Sequence, residues 1–589
     1  MTDNIKETKS PGRFASVTKY LRQYKRYLVI GGFSILLTNA LALATPYIIK
    51  LIIDRLEKRT AIGEVFDLVV LMLGLTVLAG VFRFLVRRTI IWMSRYLEYN
   101  LRGELFAHLL RLNPTYYHET RTGDVMARAT NDLEAVRMMI GPGLMHIANT
   151  VVSLVFAVGF MVYLSPKLTL YAFIPMIFFP FAVNKLGNLI HRKFVKIQEQ
   201  FSHLTATAQE NLSGMRVIKA YGQEESEIAN FADVSEKYVD LNLNMARLQG
   251  ILFPFIRFLA AGVNLLILGV GGYEIINGTT DLGTLVAFFT YTNALFWPMF
   301  AMGWVVSLYQ RGTASLDRIN RILRTEPLIR DVGDDLRTAP MKGKIEFRDL
   351  TFSYNHALIL DGINLTIEPG QTIGIVGMTG SGKTTLVSLL NRLYPVSRGQ
   401  ILIDDVDIND WELASLRRQI SFATQEPFLF SDTIAENIRF GEGDASEDQI
   451  EAAAKAAALA KDIEEFPKQY ETIVGERGIT LSGGQKQRTA IARALLVDPA
   501  VLVLDDATSS VDTETEDEIY ERVMAANRDR TRLIISHRVS SVKEADKIIY
   551  LENGRIAEQG NHEALIALNG NYAELYRSQL LEMEIQSLS

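Results

Sequence analysis

Residues Gly377 to Thr384 read GMTGSGKT, which fits G-x-x-x-x-G-K-[ST]. Glycines at those spacings let backbone N–H groups curl around phosphate oxygens. The Lys383 ammonium is placed to reach the outer phosphates and the Thr384 hydroxyl to ligate magnesium, at the start of a helix whose dipole favours anions. TIGIV before the loop reads as a buried strand and TLVSLL after it as a helix, so the motif stands in the context it needs. Far downstream, AVLVLDD is an apolar run that ends in Asp505, placed to hold magnesium through water. An apolar run ending in aspartate says little alone, but paired with the glycine loop it becomes specific. The chemistry implied is phosphoryl transfer from ATP with Mg2+.

Two further features sit beside these. Asp505 is followed directly by a second carboxylate, Asp506, in LVLDDATSSVD. Between loop and strand lies TLSGGQKQRTAIARAL, where two consecutive glycines open an apolar helix and make another row of N–H donors. The glycine loop has no need of this second anion site, which suggests that it serves another nucleotide.

These residues must be positioned by a chain of 589 residues, too long for one domain. The portion up to about Leu323 is rich in long apolar runs, whereas from Met341 onward the pattern is that of a soluble α/β domain. The net charge of -6 comes from well-mixed signs, so no basic face advertises nucleic acid. The absence of cysteine excludes disulfides, thiolate metal sites and cysteine catalysis. MTDNIKETKSPGRF carries no cleavable-signal pattern, so the first apolar segment is expected to act as the membrane signal.

About 20 apolar residues span a bilayer, and six segments qualify or nearly so. They lie near Leu28 to Ile52, Phe66 to Val86, Gly143 to Leu164, Leu168 to Leu186, Leu252 to Ile275 and Thr284 to Leu308. The proline-free run from Leu68 to Leu112 and the charged stretch from Lys185 to Gln249 are expected to be long helical extensions into the cytoplasm. Lys19, Arg22, Lys25 and Arg26 precede the first crossing, and Arg87, Arg88, Arg95, Arg102, Arg111, Arg121 and Arg128 populate the second connector. The connectors at 165–167 and 277–283 are nearly free of them, while Arg55, Lys58 and Arg59 weaken the contrast. Both termini are therefore expected to be cytoplasmic. Arg83 is either a functional intramembrane charge or one that snorkels to the interface. The sixth crossing, FFTYTNALFWPMFAMGWVV, could line an adaptable apolar cavity or simply pack against neighbouring helices and lipid.

Across nearly its whole length the chain resembles the ATP-binding cassette exporters of the half-transporter type, in which LSGGQ is the signature motif that closes over ATP held by the opposite subunit. The resemblance implies a membrane domain of six transmembrane helices with long cytoplasmic extensions, followed by an α/β P-loop nucleotide-binding domain with a helical subdomain. It divides the chain into an N-terminal cytoplasmic segment with an elbow helix (1–27), a transmembrane domain (28–323), a linker (324–343) and the cassette (344–589). Carried over residue by residue, Tyr354 matches the aromatic that stacks on adenine. Gly377, Thr379, Gly380, Ser381, Gly382, Lys383, Thr384 and Thr385 form the phosphate loop. Ser482, Gly484 and Gln485 match the signature contacts to the γ-phosphate across the dimer, and Asp512 the loop that crosses between subunits. Thr384, Gln425 and Asp505 would hold magnesium, while Gln425, Asp506 and His537 form the catalytic set, His537 as the switch histidine. NPTYYHETRTGDVMAR and GMRVIKAYGQEESEIANF resemble the intracellular loops whose coupling helices, near Thr115 to Arg121 and Met215 to Gly222, press on the cassettes.

One set of crossings and one cassette imply that two chains make a transporter in the cytoplasmic (inner) membrane. The expected cargo is a hydrophobic small molecule or lipid, and no nucleic acid is expected as partner. In the family the residue after the strand-end aspartate is a glutamate that orients the attacking water, and here it is Asp506. The shorter carboxylate points to the subunit carrying the weakly hydrolytic site of a heterodimer. The alternatives are a homodimeric exporter or lipid flippase in which Asp506 is competent, and a regulatory membrane subunit that transports nothing. Retention of Gln425, the signature and His537 speaks for a transport cycle. Soluble cassette ATPases of DNA maintenance are disfavoured by the fused crossings.

Overall fold

The computed structural model describes residues 12–588 apart from 334, 355, 356, 527 and 528. They form two compact units, one running up to Leu110 and including Arg121–Thr325, the other made of Arg111–Thr120 and the chain from Glu326 onward. The leader reading at residues 1–11 lies outside the described residues.

The first unit is helical. In chain order the helices are α1 (Ala15–Gln23), α2 (Lys25–Glu57), α3 (Ile62–Val86), α4 (Trp92–Leu109), α5 (Pro114–Glu119, which groups with the second unit) and α6 (Thr122–Ala127). They continue with α7 (Leu133–Met138), α8 (Leu144–Leu164), α9 (Pro166–Ser213), α10 (Met215–Tyr221), α11 (Glu224–Ile276) and α12 (Leu282–Arg324). Among the described residues five stretches are long and apolar enough to cross a membrane: Lys25–Glu57, Ile62–Leu109, Thr122–Leu164, Arg257–Ile276 and Leu282–Arg324. These contain four of the six expected crossings whole and a fifth, Leu252 to Ile275, from Arg257 onward, and the chain is a multi-pass membrane protein. The expected fourth crossing falls in α9, where the side chains of 176–184, 186 and 188 lie outside those described. The short connectors are set by local chemistry. Ser165 caps α9 by accepting from the Leu168 N–H at 3.2 Å with Pro166 at the first helical position, and Asp281 caps α12 through the Thr284 N–H at 2.6 Å. Helices occupy both expected coupling segments, with α5 beginning one residue and ending two residues earlier than anticipated.

Hydrocarbon surrounds these helices, so close fit and internal polar pairing hold them together more than exclusion from water does. Leu43, Met161, Ile267, Phe288, Tyr291 and Leu295 belong to one buried cluster, in which the Tyr291 hydroxyl donates to the Leu43 carbonyl at 2.9 Å. Asn39 donates to Asn149 at 2.9 Å and so bonds α2 to α8. Lys50 joins α2 to the head of α12, bonding Asp54 at 2.5 Å and Asp281 at 2.8 Å. Glycines mark the closest approaches. A Cβ at Gly141 would lie 2.4 Å from the Ser94 hydroxyl oxygen, and one at Gly312 would lie 2.4 Å from the Met139 Cβ. Arg83 is exposed on α3.

The long helices are not uniform, a feature the periodicity did not suggest. Wide π turns occupy Arg87–Ile91, Arg128–Asp132 and Met139–Gly143. Pro142, which lacks an N–H, sits in the third, where a regular α ladder would be interrupted in any case.

In the second unit the strands are β1 (Ile345–Tyr354), β2 (Ala357–Ile367), β3 (Thr372–Val376), β4 (Ile401–Ile403), β5 (Val406–Asp407), β6 (Ile420–Ala423), β7 (Val501–Asp505), β8 (Thr531–Ile535), β9 (Lys547–Glu552) and β10 (Arg555–Gly560). An antiparallel sheet has the order β2-β1-β4-β5, and a six-stranded sheet the order β10-β9-β3-β8-β7-β6. Strands β3, β8, β7 and β6 run parallel, with Ile375 beside Ile535, Asp505 beside Ile535 and Ala423 beside Leu504. Their carboxyl ends therefore open on one edge, where ligands of open α/β sheets bind. Residues of β3, β7 and β8 are buried throughout, as expected of a parallel sheet covered on both faces. Short helices from Ile434 to Glu465, with those at Gly483–Leu496 and Thr513–Ala526, pack on the six-stranded sheet in an apolar core where Ile438, Ile450, Leu459, Ile491 and Ile519 meet Leu502, Leu504 and Ile534 of the strands.

The contact at Gly141 predicts that Gly141→Val separates the π turn from Ser94 and lowers stability by about 1–3 kcal/mol. Thermal unfolding of the detergent-purified chain checks this, with Gly103→Val, where a Cβ meets open space, as the control.

Candidate active site

The parallel strand ends bring most of the expected residues together. β3 feeds the glycine loop, β6 leads to Gln425, β7 ends in Asp505 with Asp506 directly after it, and β8 leads to His537. Two glycines of the loop are sterically required. Gly377 has φ +148 and an added Cβ would lie 2.2 Å from the Leu551 carbonyl oxygen, while Gly382 has φ +101 with its Cβ 2.8 Å from Leu360. Gly382 precedes the helix Lys383–Ser388 and supplies no side-chain cap, which leaves the first N–H groups to a ligand. Met378, Thr379 and Gly380 are exposed at the rim, Thr384 is exposed and Thr385 half-buried. The Ser381 hydroxyl is buried without a hydrogen-bond partner among the described residues. An orphaned hydroxyl beside free amide donors fits a phosphate oxygen.

The Lys383 ammonium donates to the carbonyls of Gly377 and Met378, at 2.8 Å each. Burial lowers its pKa, opposed by the charges of Asp505 and Asp506. Both carboxylates are buried, Asp505 at 4 % exposure and Asp506 at 7 %. Burial raises the Asp505 pKa, the Thr384 hydroxyl bond at 3.2 Å pulls it down, and the neighbouring Asp506 pushes it up again. The oxygen pair from the buried Asp505 and the exposed Thr384 fits the hard, oxygen-seeking Mg2+. When bound, the ion would neutralise charge on the β- and γ-phosphates.

Asp506 has the left-handed φ of +48, and its N–H donates to the Ile535 carbonyl at 2.8 Å. The Gln425 amide donates to the Asp506 carboxylate at 3.1 Å, uniting two expected site residues. His537 is exposed, and its positive form would lower the Asp505 pKa. Tyr354 stands at the end of β1, held edge-on by Phe352 with ring centroids 4.9 Å apart and by Tyr394 at 5.0 Å. Burial raises the Tyr394 pKa to about 12.

The signature residues are engaged in their own helix. Ser482 caps the helix Gly483–Leu496, its hydroxyl accepting from the Gln485 N–H at 3.2 Å, while the Gln485 carbonyl accepts from the Ser482 N–H at 3.0 Å. The Gln485 amide also donates to Asp462 at 3.0 Å. Of the expected donor row, the Gln485 N–H is thus already taken, which leaves those of Gly483 and Gly484. Asp512 caps the next helix by accepting from the Thr515 N–H at 2.9 Å, and that bond lowers its pKa.

Sequence reasoning missed three residues. Tyr394 braces Tyr354. Glu516, 2 % exposed, accepts from Thr508 at 2.9 Å and Ser541 at 2.6 Å and pairs with Arg538, joining the segment after Asp506 to the segment after His537. Gln487, 3 % exposed, bonds the loop that follows Asp506. The one available signal for Gln487 was a glutamine on the apolar face of TLSGGQKQRTAIARAL.

Comparison with known proteins agrees with this geometry. Residues 28–299 match the family described as ABC transporter transmembrane region, and 360–509 the family described as ABC transporter. The chain is 35% identical over 97% of its length to the Escherichia coli (strain K12) multidrug resistance-like ATP-binding protein MdlA, covering 97% of that protein. It is 39% identical over 83% of its length to the probable multidrug resistance ABC transporter ATP-binding/permease protein YheI of Bacillus subtilis (strain 168), covering 84% of it. It is 34% identical over 94% of its length to the ATP-dependent lipid A-core flippase of Desulfotalea psychrophila, covering 97% of it. Among solved structures, a bacterial Atm1-family ABC exporter with ATP bound matches with a TM-score of 0.78 at 30% identity, over 94% of this chain and 99% of that one.

The buried charge of Asp505 gives a pH-dependent expectation. Because its folded pKa is raised, the penalty is present above the unfolded carboxylate value and disappears as pH falls below it. Asp505→Asn should therefore raise the stability of the chain at pH 7 in the absence of Mg-ATP, with the gain shrinking as pH falls through the ordinary carboxylate range. Thermal melts from about pH 4 to pH 8 check it, and the variant should lose the further stabilisation that Mg-ATP gives the wild type.

Proposed function

Because the chain belongs to the ATP-binding cassette (ABC) transporter family, as a half-transporter with a transmembrane region and a nucleotide-binding domain, we propose that it exports an apolar or amphipathic molecule, a drug-like compound or a lipid, as one half of a heterodimer. Its cassette binds ATP and couples hydrolysis to export, and such half-transporters work in pairs. The bacterial relatives and the distribution of Lys and Arg support an inner-membrane location with both termini cytoplasmic.

Support for the cargo class comes from the membrane unit. A groove of about 250 Å³ between α8 and α12 is lined by Ile147, Thr150, Val151, Met302, Val305 and Tyr309. It offers rings, a thioether and branched aliphatics but no fixed charge, which suits an apolar guest held without strong directional bonds. The multidrug and lipid names of the relatives point the same way.

In the proposed cycle Tyr354 stacks on adenine, and the loop from Gly377 to Thr385 cradles the phosphates. Lys383 exchanges its two carbonyl partners for phosphate oxygens, and Thr384, Asp505 and Gln425 hold Mg2+. Ser482, Gly484 and Gln485 close over ATP held by the partner, with Asp512 at the crossing loop. ATP binding favours closed cassettes and hydrolysis releases them, which makes the nucleotide a switch of population.

The observation that carries the heterodimer reading is the buried Asp506 carboxylate held at 3.1 Å by Gln425. A general base must come within about 2.6–3.2 Å of the proton it takes, and aspartate is one methylene shorter than the glutamate the family uses. Pulled back and occupied by Gln425, it is poorly placed to activate water, while the signature helix that completes the partner's site is intact.

This chain purified alone should hydrolyse ATP slowly, and Asp506→Glu should speed it by about 10²–10⁴-fold. With a glutamate-bearing partner the complex should be fast, and Asp506→Asn should change it little. Brisk hydrolysis by the chain alone, abolished by Asp506→Asn, would establish the homodimer instead. Independently, Lys383→Ala should abolish photolabelling of this chain by an ATP analogue while leaving membrane insertion intact.

A further inference from the structure

We propose that Gln487 is a positioning residue through which the signature helix sets the placement of Asp506 and Gln425 in its own cassette, so that the two ATP sites of a dimer communicate through one buried amide. This rests on the reading that Ser482 and Gly484 face the partner's ATP.

Gln487 lies on the inner face of the helix Gly483–Leu496, one turn beyond the two glycines. A buried amide is expected to be bonded, but its partners here are not scaffold. The Gln487 side-chain Oε1 accepts from the Ser510 N–H at 2.8 Å, and its Nε2 donates to the Ser509 hydroxyl at 2.8 Å and, at a longer 3.4 Å, to the Gln425 backbone carbonyl. Ser509 in turn donates its N–H to the Asp506 carbonyl at 3.3 Å, and Gln425 donates its side-chain amide to the Asp506 carboxylate at 3.1 Å. The bonds close a ring: Gln487, Ser509, Asp506, Gln425 and back to Gln487. Two routes therefore run from the signature helix to the same residue, one ending on the Asp506 backbone carbonyl and one on its carboxylate.

The helix start already touches this loop, since an added Cβ on Gly483 would lie 3.2 Å from the Ser510 Cβ and one on Gly484 3.2 Å from the Ser510 carbonyl oxygen. When the two glycine N–H groups close on a phosphate, the helix shifts as a rigid rod. Gln487 then either carries Ser509 and Ser510 with it or breaks two short bonds. Asp506, in its left-handed conformation between β7 and that loop, has little slack to absorb the movement. Occupancy of the neighbour's site is thereby read out as the aim of Asp506 and the hold of Gln425.

The test uses the assembled full-length transporter in nanodiscs. Own-site hydrolysis is read, in an Asp506→Glu background whose own site turns over, as vanadate-trapped photolabelled ADP on this chain, and affinity as the ATP concentration giving half-maximal labelling. Gln487→Met, which keeps the volume and removes both polar atoms, should slow own-site trapping by about 10-fold or more while shifting half-maximal ATP by less than about twofold. With Gln425→Ala already present, Gln487→Met should slow trapping by no more than about twofold further, because both act through the same ring. Gln487→Glu retains the acceptor for the Ser510 N–H and should give an intermediate rate. Should Gln487→Met fail to fold, the cycle of Gln487→Glu with Gln425→Ala carries the test. Full trapping in the Gln487 variants, a loss that adds to that of Gln425→Ala, or a parallel loss of affinity would overturn the inference. Gly484→Asp, run alongside, isolates the premise. Normal turnover of the partner's site in that variant sinks the shared-site reading itself, whereas blocked turnover with additive Gln487 effects sinks only the relay.

Discussion

Two carboxylates, adjacent in sequence and both buried, stand at the end of β7, and the cassette is arranged around holding them. Charge removed from water is tolerated only where hydrogen bonds or counter-charges meet it. Asp505 receives the Thr384 hydroxyl and Asp506 the Gln425 amide, while the buried Lys383 ammonium nearby bonds carbonyls instead of either carboxylate. The site thus does not pair its own charges with one another. It contains a cation on loop carbonyls, an orphaned hydroxyl at Ser381 and a carboxylate with raised proton affinity. Mg-ATP supplies the matching charges, so binding energy is available to reorganise the loops that bear these groups.

The membrane unit solves a different problem. With lipid as solvent, its helices gain little from burying apolar surface against each other, and the informative contacts are those where backbone meets side chain. Gly141 against Ser94, Gly312 against Met139 and the Asn39–Asn149 bond tie helices that are distant in sequence. The exposed sixth-crossing residues Met302 and Trp304 contrast with the buried Tyr291 and Phe288 of the same helix. One face of α12 holds the fold while another is left for something else to cover.

What was legible beforehand follows from the range of each signal. The phosphate loop, the strand-end aspartate and the signature glycines are local patterns whose chemistry depends on spacing of a few residues, and they could be read directly. Hydropathy gave five crossings among the described residues for the same reason. Tyr394, Glu516 and Gln487 act across tens or more of residues of sequence, and only the sheet order brings them to their partners. The left-handed backbone at Asp506 was hidden because aspartate tolerates that conformation without advertising it. Lys383 bonding the carbonyls of its own loop escaped notice because the motif names the residue and not its partners.

The π turns change how the membrane helices must be counted. Each widens one turn to take in an additional residue, and a residue advances an α-helix by about 100°. A helical wheel drawn through Thr122–Leu164 as one uninterrupted rod therefore loses phase at Arg128–Asp132 and again at Met139–Gly143. The azimuth at which Ile147, Thr150 and Val151 face their groove is set by those two insertions, not by their own spacing. Loss of a single residue from the turn at Pro142 would restore ordinary pitch and swing the whole of α8 around its axis. The apolar wall would be rotated out of place with every lining side chain still present.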